Sequence, residues 1–342
     1  MSGDARNPPR VIGMIAATVA VLALTTSMAH ADPTRVTSTL PLEQVAKVVL
    51  PGSSTRFDYM SIDTNARRLY ISHMNGDELL VFDLRRRKVI AQIPAPGVHG
   101  VLAVPQLGRV FASATNEREV LTINAHNESI IARAPAGLYP DGIAYDPRER
   151  HVFVSDESGG VETVIDARGR RVATIKLGGG AGNVQYDPVS GMVLADVQTR
   201  NDIAVIDPRT NRIIRRVSVP GCDNDHGLLI DSSRRLAFVA CDGNAMLFTL
   251  DLARMQFTGG ATVGEDPDVL AFDSTLHRLY VSAESGEVAV FAERGRRLEK
   301  LGQAFLAANA HTVAVDPATH LVYFALERGA GGRPQLLILK PA

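Results

Sequence analysis

The sequence predicts an all-β protein, a seven-bladed β-propeller whose blades have four strands each. Three observations support this prediction: a motif that returns every 41 to 44 residues, strand-forming residues between polar turns, and chain ends that complement each other. Repeats of this length built from short strands are typical of propeller blades. A helical array is the alternative for such a period, but no repeat has an apolar i, i+3, i+4, i+7 stripe.

Each repeat has an apolar segment that ends in an anchor residue, then a polar turn and a second apolar strand. The anchors are Asp63, Val104, Asp146, Asp187, Asp231, Asp273 and Asp316. Every anchor aspartate is followed by Pro, Ser or Thr, which is typical of the first residue of a turn. The anchor carboxylates are therefore interpreted as structural.

The third repeat illustrates the four strands of a blade, which are predicted at 142–145, 151–154, 162–165 and 171–175. Val, Ile, Tyr and Phe fill these strands, and Asp-Pro, Ser-Gly-Gly and Arg-Gly-Arg mark the turns between them. We name the four strands a to d in chain order, and we expect strand a to be innermost.

The last repeat lacks its fourth strand. Its strands a to c are predicted at 312–315, 321–324 and 335–339, after which the chain ends. The segment 45–52 matches strand d of other repeats, such as 88–94 and 212–217. We expect this N-terminal strand to complete the last blade, so that no sheet edge is left open between the first and last repeats.

The first 31 residues are predicted to be a secretory signal peptide. Arg6 and Arg10 precede an apolar run at 11–24, and Ala29-His30-Ala31 has the small-x-small pattern of a cleavage site. The run is short for a membrane-spanning helix, and no second hydrophobic segment follows. We expect cleavage after Ala31, a single propeller domain at 32–342, and a periplasmic or secreted protein without a membrane span.

The charge balance gives no support for polyanionic partners. The net charge is −1 at pH 7, which gives no reason to expect binding to nucleic acid or to an anionic membrane. Hydrophobic residues make up 45% of the chain and Trp is absent, as suits a soluble β protein other than a WD-type propeller. We expect a monomer, and another periplasmic protein is an alternative partner to a small ligand.

The predicted export of the protein affects the interpretation of its two cysteines. Cys222 lies in the connection before strand a of the fifth repeat, and Cys241 ends strand b of the same repeat. Strand a starts and antiparallel strand b ends at the same rim, so the two thiols should be close. In an oxidising compartment such a pair favours a disulfide, with metal ligation and unpaired thiols as alternatives.

The repeats resemble those of the YVTN-repeat, YncE-like seven-bladed propellers. The resemblance rests on Arg278-Leu279-Tyr280-Val281-Ser282 for strand b, Ala204-Val205-Ile206-Asp207 for strand c and Pro140-Asp141-Gly142 before strand a. It covers residues 42–342 and departs from the family at the final Asn of the motif, which no repeat has. The resemblance implies the architecture and leaves the function open, because one fold hosts many functions.

Candidate functional residues form a column at the first position of strand a, five residues before each anchor. The column contains Asp58, His99, Asp141, Gly182, His226, Asp268 and His311. Imidazoles and carboxylates around one axis are suitable ligands for a divalent or transition metal, and they also suit proton transfer. The histidines are candidate catalytic residues. His99, His226 and His311 with Asp141 and Asp268 are the candidate metal ligands, and Asp58 is a further candidate ligand-binding residue.

Two alternatives to a metal site remain at this column. Asp and His at a strand start can cap the preceding turn, and the same ring can hold a polar ligand without metal. A second tier follows strand b, where Glu157, Glu284 and Glu327 are candidate ligand-binding residues. Acidic hairpin tips that only promote solubility are the alternative for this tier.

Three functional classes follow from these residues. The first is an exported binding or scaffold propeller that holds a metal ion or small polar ligand at the channel mouth. The second is a metal-assisted hydrolase or lyase, by analogy with gluconolactonase-like and virginiamycin B lyase-like propellers. The third is a protein-interaction platform without chemistry. No nucleophile, phosphate-loop or zinc-protease motif occurs, so an enzymatic function would depend on the ring alone.

Overall fold

The computed structural model describes residues 39–342, which form seven four-stranded antiparallel sheets arranged as the blades of a propeller. This confirms the predicted fold class. Blades one to six are meanders whose strands are paired in chain order. The predicted signal peptide at 1–31 lies outside the described residues. Within 39–342, no helix has the length and apolar character needed to cross a membrane.

The 28 strands are numbered in chain order. In blades one to four they are β2 (Met60–Asp63), β3 (Arg68–His73), β4 (Glu78–Asp83), β5 (Lys88–Pro94), β6 (Val98–Val104), β7 (Arg109–Ala114), β8 (Glu119–Asn124), β9 (Ile130–Pro135), β10 (Pro140–Asp146), β11 (His151–Asp156), β12 (Val161–Asp166), β13 (Arg171–Lys176), β14 (Val184–Asp187), β15 (Met192–Val197), β16 (Asp202–Asp207) and β17 (Arg212–Ser218). In blades five to seven they are β18 (Asp225–Asp231), β19 (Leu236–Cys241), β20 (Met246–Asp251), β21 (Gln256–Thr262), β22 (Pro267–Asp273), β23 (Arg278–Ala283), β24 (Glu287–Arg294), β25 (Arg297–Phe305), β26 (Ala314–Asp316), β27 (Leu321–Leu326), β28 (Gln335–Pro341) and β1 (Leu42–Val49). Short 3₁₀ turns lie at Met74–Gly76, Pro105–Leu107, Thr115–Glu117, Gln198–Arg200, Asp242–Asn244 and Ala330–Gly332.

The N-terminal strand closes the ring as predicted. β1 pairs with β28 in antiparallel register, with Leu42 opposite Pro341 and Val49 opposite Gln335. An ion pair also crosses the seam between blades one and seven, where the guanidinium of Arg67 binds both carboxylate oxygens of Asp316 at 2.8 and 2.5 Å. The first and last repeats are thus joined by backbone hydrogen bonds and by a buried carboxylate.

The hydrophobic core lies between blades rather than within them. Tyr70 and Leu79 of blade one share a cluster with Val110 of blade two, and Leu69 shares another with Tyr323 of blade seven. Within the described residues, one such cluster fills each of the seven inter-blade interfaces. A blade therefore buries both faces only when both of its neighbours are present.

The anchor aspartates have the structural role that the sequence predicts. The side chain of Asp63 accepts hydrogen bonds from the backbone N–H groups of Asn65 at 2.9 Å and Ala66 at 2.8 Å. The same turn recurs at Asp146, Asp187, Asp231, Asp273 and Asp316. The bonds hold the chain in the tight a–b turn and satisfy N–H groups that the strands leave unpaired.

A disulfide joins Cys222 and Cys241, whose Cα atoms are 5.5 Å apart. It ties the connection before β18 to the end of β19, at the rim of blade five. The side-chain NH₂ group of Asn224 donates a further hydrogen bond to Asp242 Oδ1 at 2.6 Å. The predicted disulfide is therefore confirmed, and it fixes the segment that leads into the column residue His226.

Deleting residues 45–50 should destabilise the protein far more than trimming an ordinary terminus. Without β1, blade seven loses its outer strand and the cluster that it shares with blade one is exposed to water. Thermal unfolding of the truncated and mature forms measures the loss. A melting temperature within one or two degrees of the mature form would contradict the closure argument.

Replacing both cysteines with Ala should lower the free energy of unfolding by about 3 kcal/mol, because the closed loop has a sequence separation of 19 residues. Chemical denaturation of the double variant and of the oxidised protein gives the difference. Labelling of both Cys222 and Cys241 by a thiol reagent in the native, unreduced protein would contradict the bond.

Candidate functional site

The His and Asp column lies where the innermost strands begin. Asp58 and His311 precede β2 and β26, and the other members lie at or near the starts of their strands: His99 in β6, Asp141 in β10, His226 in β18 and Asp268 in β22. Asp58, His99, Asp141, Asp268 and His311 are each at most 7% exposed. Burial of so many ionisable groups is unusual unless each has a partner or a function.

A cavity of about 470 Å³ opens at this end of the propeller axis. Five of the six column residues line it: Asp58, His99, Asp141, His226 and Asp268. The sixth, His311, is fully buried beside the cavity wall. The volume falls in the range of small-ligand sites and exceeds the needs of a bare ion.

A hydrogen bond joins blades one and four beside the cavity. Tyr59 of blade one donates its hydroxyl proton to Asn183 Oδ1 of blade four at 2.9 Å. Both residues also border a smaller cavity of about 140 Å³, whose other lining residues include Val101, Leu228 and Val313. Tyr59 lines both cavities, so this residue lies between the polar mouth and the smaller channel.

Three buried column residues form a group that could hold a metal ion. One ligand atom each from Asp58, Asp268 and His311 lies within 4.8 Å of the others. The Nδ1–H of His311 donates to the carbonyl oxygen of Asn309 at 3.1 Å, so the lone pair of the neutral ring is on Nε2. That Nε2 is buried without a hydrogen-bond partner among the described residues, and lies 3.8 Å from Asp268 Oδ2.

A second histidine binds the same aspartate. The Nε2–H of His226 donates to Asp268 Oδ1 at 3.1 Å, and Nδ1 contacts the side-chain amide of Gln198 at 2.5 Å. Burial opposes a charged ring, but the hydrogen bond to Asp268 and the nearby negative charges raise the pKa of His226. Although burial raises the pKa of Asp268, the bond to His226 lowers it overall. His226 is therefore the cationic partner of Asp268, and in the charged ring Nδ1 is a donor that requires the oxygen of the Gln198 amide as its partner.

The third histidine, His99, is also fully bonded. Its Nδ1–H donates to the carbonyl oxygen of Gly97 at 2.7 Å. In the neutral ring Nε2 accepts the hydroxyl proton of Tyr139, at 2.8 Å. The oxygen of Tyr139 thus has only lone pairs left for the cavity. Among the described residues, His311 is the one of the three predicted histidine ligands that has a nitrogen without a partner.

Asp141 is a buried carboxylate without a counter-ion in contact. It is 4% exposed, and its Oδ1 has no hydrogen-bond partner within residues 39–342. Burial raises its pKa to about 7; the charge of His226 opposes this shift, and those of Glu157 and Asp268 add to it. Burial likewise raises the pKa of Asp58 to about 6, against the influence of His99 and His311.

Arg56 is the arginine that lines the cavity. Its Nη2 is 2.7 Å from Glu284 Oε1 and 4.0 Å from Asp268, and its Nε is 3.7 Å from Asp58. Burial opposes its charge, but these carboxylates together raise its pKa above the usual value. The guanidinium neutralises part of the negative charge on the side of blades one and six.

The structure places two of the three predicted second-tier glutamates at the cavity. Glu157 and Glu284 line the cavity, together with Asp242 and Asp266. Glu327 does not line it, and its carboxylate accepts a hydrogen bond from the side-chain amide of Asn309. Seven carboxylates therefore face the cavity, against the two cationic side chains Arg56 and His226. This excess of negative charge favours a cationic ligand.

Turn capping explains only part of the column. His99 and His311 bond to carbonyl groups two residues earlier, as capping side chains do. Within the described residues, the carboxylates of Asp58, Asp141 and Asp268 accept no hydrogen bond from a backbone N–H. Their burial is therefore not accounted for by local turn geometry.

The gap in the column has a packing reason. A Cβ at Gly182 would lie 2.8 Å from the carbonyl oxygen of His226 and 2.9 Å from that of Asp225. The backbones of blades four and five approach each other closely here. Gly182 is thus a contact point between the two blades, and it does not line the cavity.

Some lining residues were missed because they lie beside the column. Arg56, Tyr139 and Asp266 are each two residues before a column position, and Tyr59 and Asn183 each follow one. The positions that follow the column in blades two, three and five are Gly. Blades one and four have large polar side chains at this position, Tyr59 and Asn183. This difference was a sequence signal for a contact between the two blades.

The chain was also compared with known proteins, and no family model matches it. It is 26% identical over 109 residues to the YncE proteins of Salmonella typhi and Salmonella typhimurium, which covers 32% of this chain. The match spans 31% of the length of each relative. Together with the seven-bladed fold, it confirms the predicted resemblance to YncE-like propellers.

Among solved structures, the chain is similar to hydrazine synthase of Kuenenia stuttgartiensis, with a TM-score of 0.71. The similarity covers 87% of this chain and 97% of the solved chain, at 15% sequence identity. At this identity the comparison supports the propeller fold and nothing about activity.

Replacing Asp141 with Asn should stabilise the protein at pH 8 and have little effect near pH 4. A folded pKa of about 7 lies above the unfolded value of 3.8, so the stability due to the bound proton is present below pH 3.8 and lost as the pH rises through 7. Removing an unsatisfied buried charge should gain roughly 1–3 kcal/mol at pH 8. Denaturation at both pH values measures this, and equal effects at the two would refute it.

Proposed function

We propose that this chain is an exported propeller that binds a divalent cation at the mouth of its central channel. The ligands would be Asp58, Asp268 and His311. The observation that supports this most strongly is the proximity of their three ligand atoms, within 4.8 Å, together with the unpartnered Nε2 of His311. A metal ion would satisfy that nitrogen and offset the charge of both carboxylates.

The ligand types narrow the class of ion. Imidazole favours zinc and the later transition metals, and carboxylates also suit manganese, so we propose a divalent transition metal or zinc. The bond from His311 Nδ1 to the carbonyl oxygen of Asn309 is the outer-sphere contact that usually orients a metal-binding histidine. Three protein ligands would leave coordination positions for water or for a small polar ligand in the cavity.

Export is part of the proposal. The Cys222–Cys241 disulfide supports it, because such bonds persist in oxidising compartments. The sequence of the first 31 residues supports it as well. A periplasmic partner, the monomeric state and the hydrolase or lyase alternative stay predictions from the sequence.

Titration of chelator-treated protein with Zn²⁺ and with Mn²⁺ tests the binding site. We expect one site per chain by calorimetry, and an affinity at least about 100-fold lower in His311→Ala or Asp58→Asn, since each removes a ligand. His320→Ala is the matched control, because His320 also pairs with an aspartate, Asp273 at 2.7 Å, and does not line the cavity.

Two outcomes would contradict the proposal. One is the absence of stoichiometric binding of either metal to a correctly folded wild-type protein. The other is binding that His320→Ala weakens as much as His311→Ala does, which would indicate adventitious sites.

A further inference from the structure

We propose that the side of the cavity formed by blade three is a subsite for a primary ammonium group. This side is defined by Tyr139, Asp141 and Glu157, which all line the cavity. The subsite goes beyond the proposed metal site, shares none of its three ligands, and does not require a metal to be bound.

Within residues 39–342, Asp141 makes no ion pair. Its Oδ1 is buried and has no hydrogen-bond partner among the described residues, although the residue lines a water-accessible cavity. The two cationic side chains of the cavity are engaged elsewhere, Arg56 with Glu284 and His226 with Asp268. A buried carboxylate without a donor is costly, and a ligand that donates to it would remove that cost.

The hydrogen bond between Tyr139 and His99 fixes which hydrogen bonds Tyr139 can make to a ligand. The neutral ring of His99 presents Nε2 as an acceptor, because its Nδ1–H is donated to Gly97. The proton of Tyr139 is therefore directed to His99, and its oxygen can only accept a bond from the cavity. Glu157, which is partly exposed at the rim, adds a second carboxylate.

Above pH 7, which is about the pKa of the buried Asp141 carboxyl, these three residues present acceptors without donors. A primary ammonium has three N–H donors and one positive charge in a compact head, which matches two carboxylates and one phenolic oxygen. A neutral alcohol lacks the charge, and a quaternary ammonium lacks the N–H donors. The subsite should therefore discriminate among these three ligand types.

The experiment measures binding of butylamine, 1-butanol and tetramethylammonium to chelator-treated protein by titration calorimetry at pH 8, where Asp141 is ionised and butylamine is still protonated. We expect butylamine to bind at least about tenfold more tightly than either analogue. Glu157→Gln and Tyr139→Phe should each weaken butylamine binding severalfold, with Zn²⁺ affinity unchanged within about twofold. Glu327→Gln is the matched control, since Glu327 occupies the equivalent repeat position in blade seven but does not line the cavity.

Failure of this inference can be separated from failure of the metal proposal. Asp58→Asn should weaken Zn²⁺ binding at least about 100-fold and keep butylamine binding, whereas Glu157→Gln should weaken butylamine binding severalfold and keep Zn²⁺ binding. Equal affinity for butylamine and tetramethylammonium, no effect of Glu157→Gln, or no butylamine binding by a folded wild-type protein would each overturn the ammonium subsite. None of these results bears on the metal titration.

Discussion

The burial of both faces of every blade is the constraint on which the rest of this structure depends. A single four-stranded sheet has two apolar faces, and here each face is covered by the next blade in the ring. The arrangement is stable only when it closes, because an open ring would leave two faces and a sheet edge in water. The pairing of β1 with β28 and the Arg67–Asp316 ion pair close it.

Closure also creates the candidate site. Seven inner strands that begin around one axis bring to a single cavity side chains that are about 42 residues apart in sequence. Backbone contacts such as that of Gly182 with blade five hold these starts close together. Asp58 and Asp141 are buried at these strand starts, and burial disfavours the charged form of a carboxyl group. This explains the raised pKa values of Asp58 and Asp141.

The cavity is organised into regions with different chemistry. The side of blades one, six and seven has two carboxylates beside a histidine nitrogen without a partner, which suits a metal ion. The side of blade three has, above the pKa of Asp141 of about 7, acceptors and no donor among its three residues. His226 lies between blades as the ion-pair partner of Asp268, and the disulfide of blade five fixes the segment that leads to it. An unpartnered buried group in each region is a cost to stability that a ligand would remove.

Periodicity alone determined the architecture of this protein. The 42-residue repeat, the anchor aspartates and the displaced strand 45–50 are local patterns, and each has one arrangement that satisfies its hydrogen bonds and buries its apolar face. The same period identified the His and Asp column, whereas the disulfide pair was predicted from export together with the positions of the two cysteines relative to strands a and b. Which column residues remain free to bind was decided only by tertiary contacts. His99 is bonded to Tyr139 and His226 to Asp268, whereas Nε2 of His311 has no hydrogen-bond partner within residues 39–342. These contacts join different blades, so no pattern within one repeat contains them.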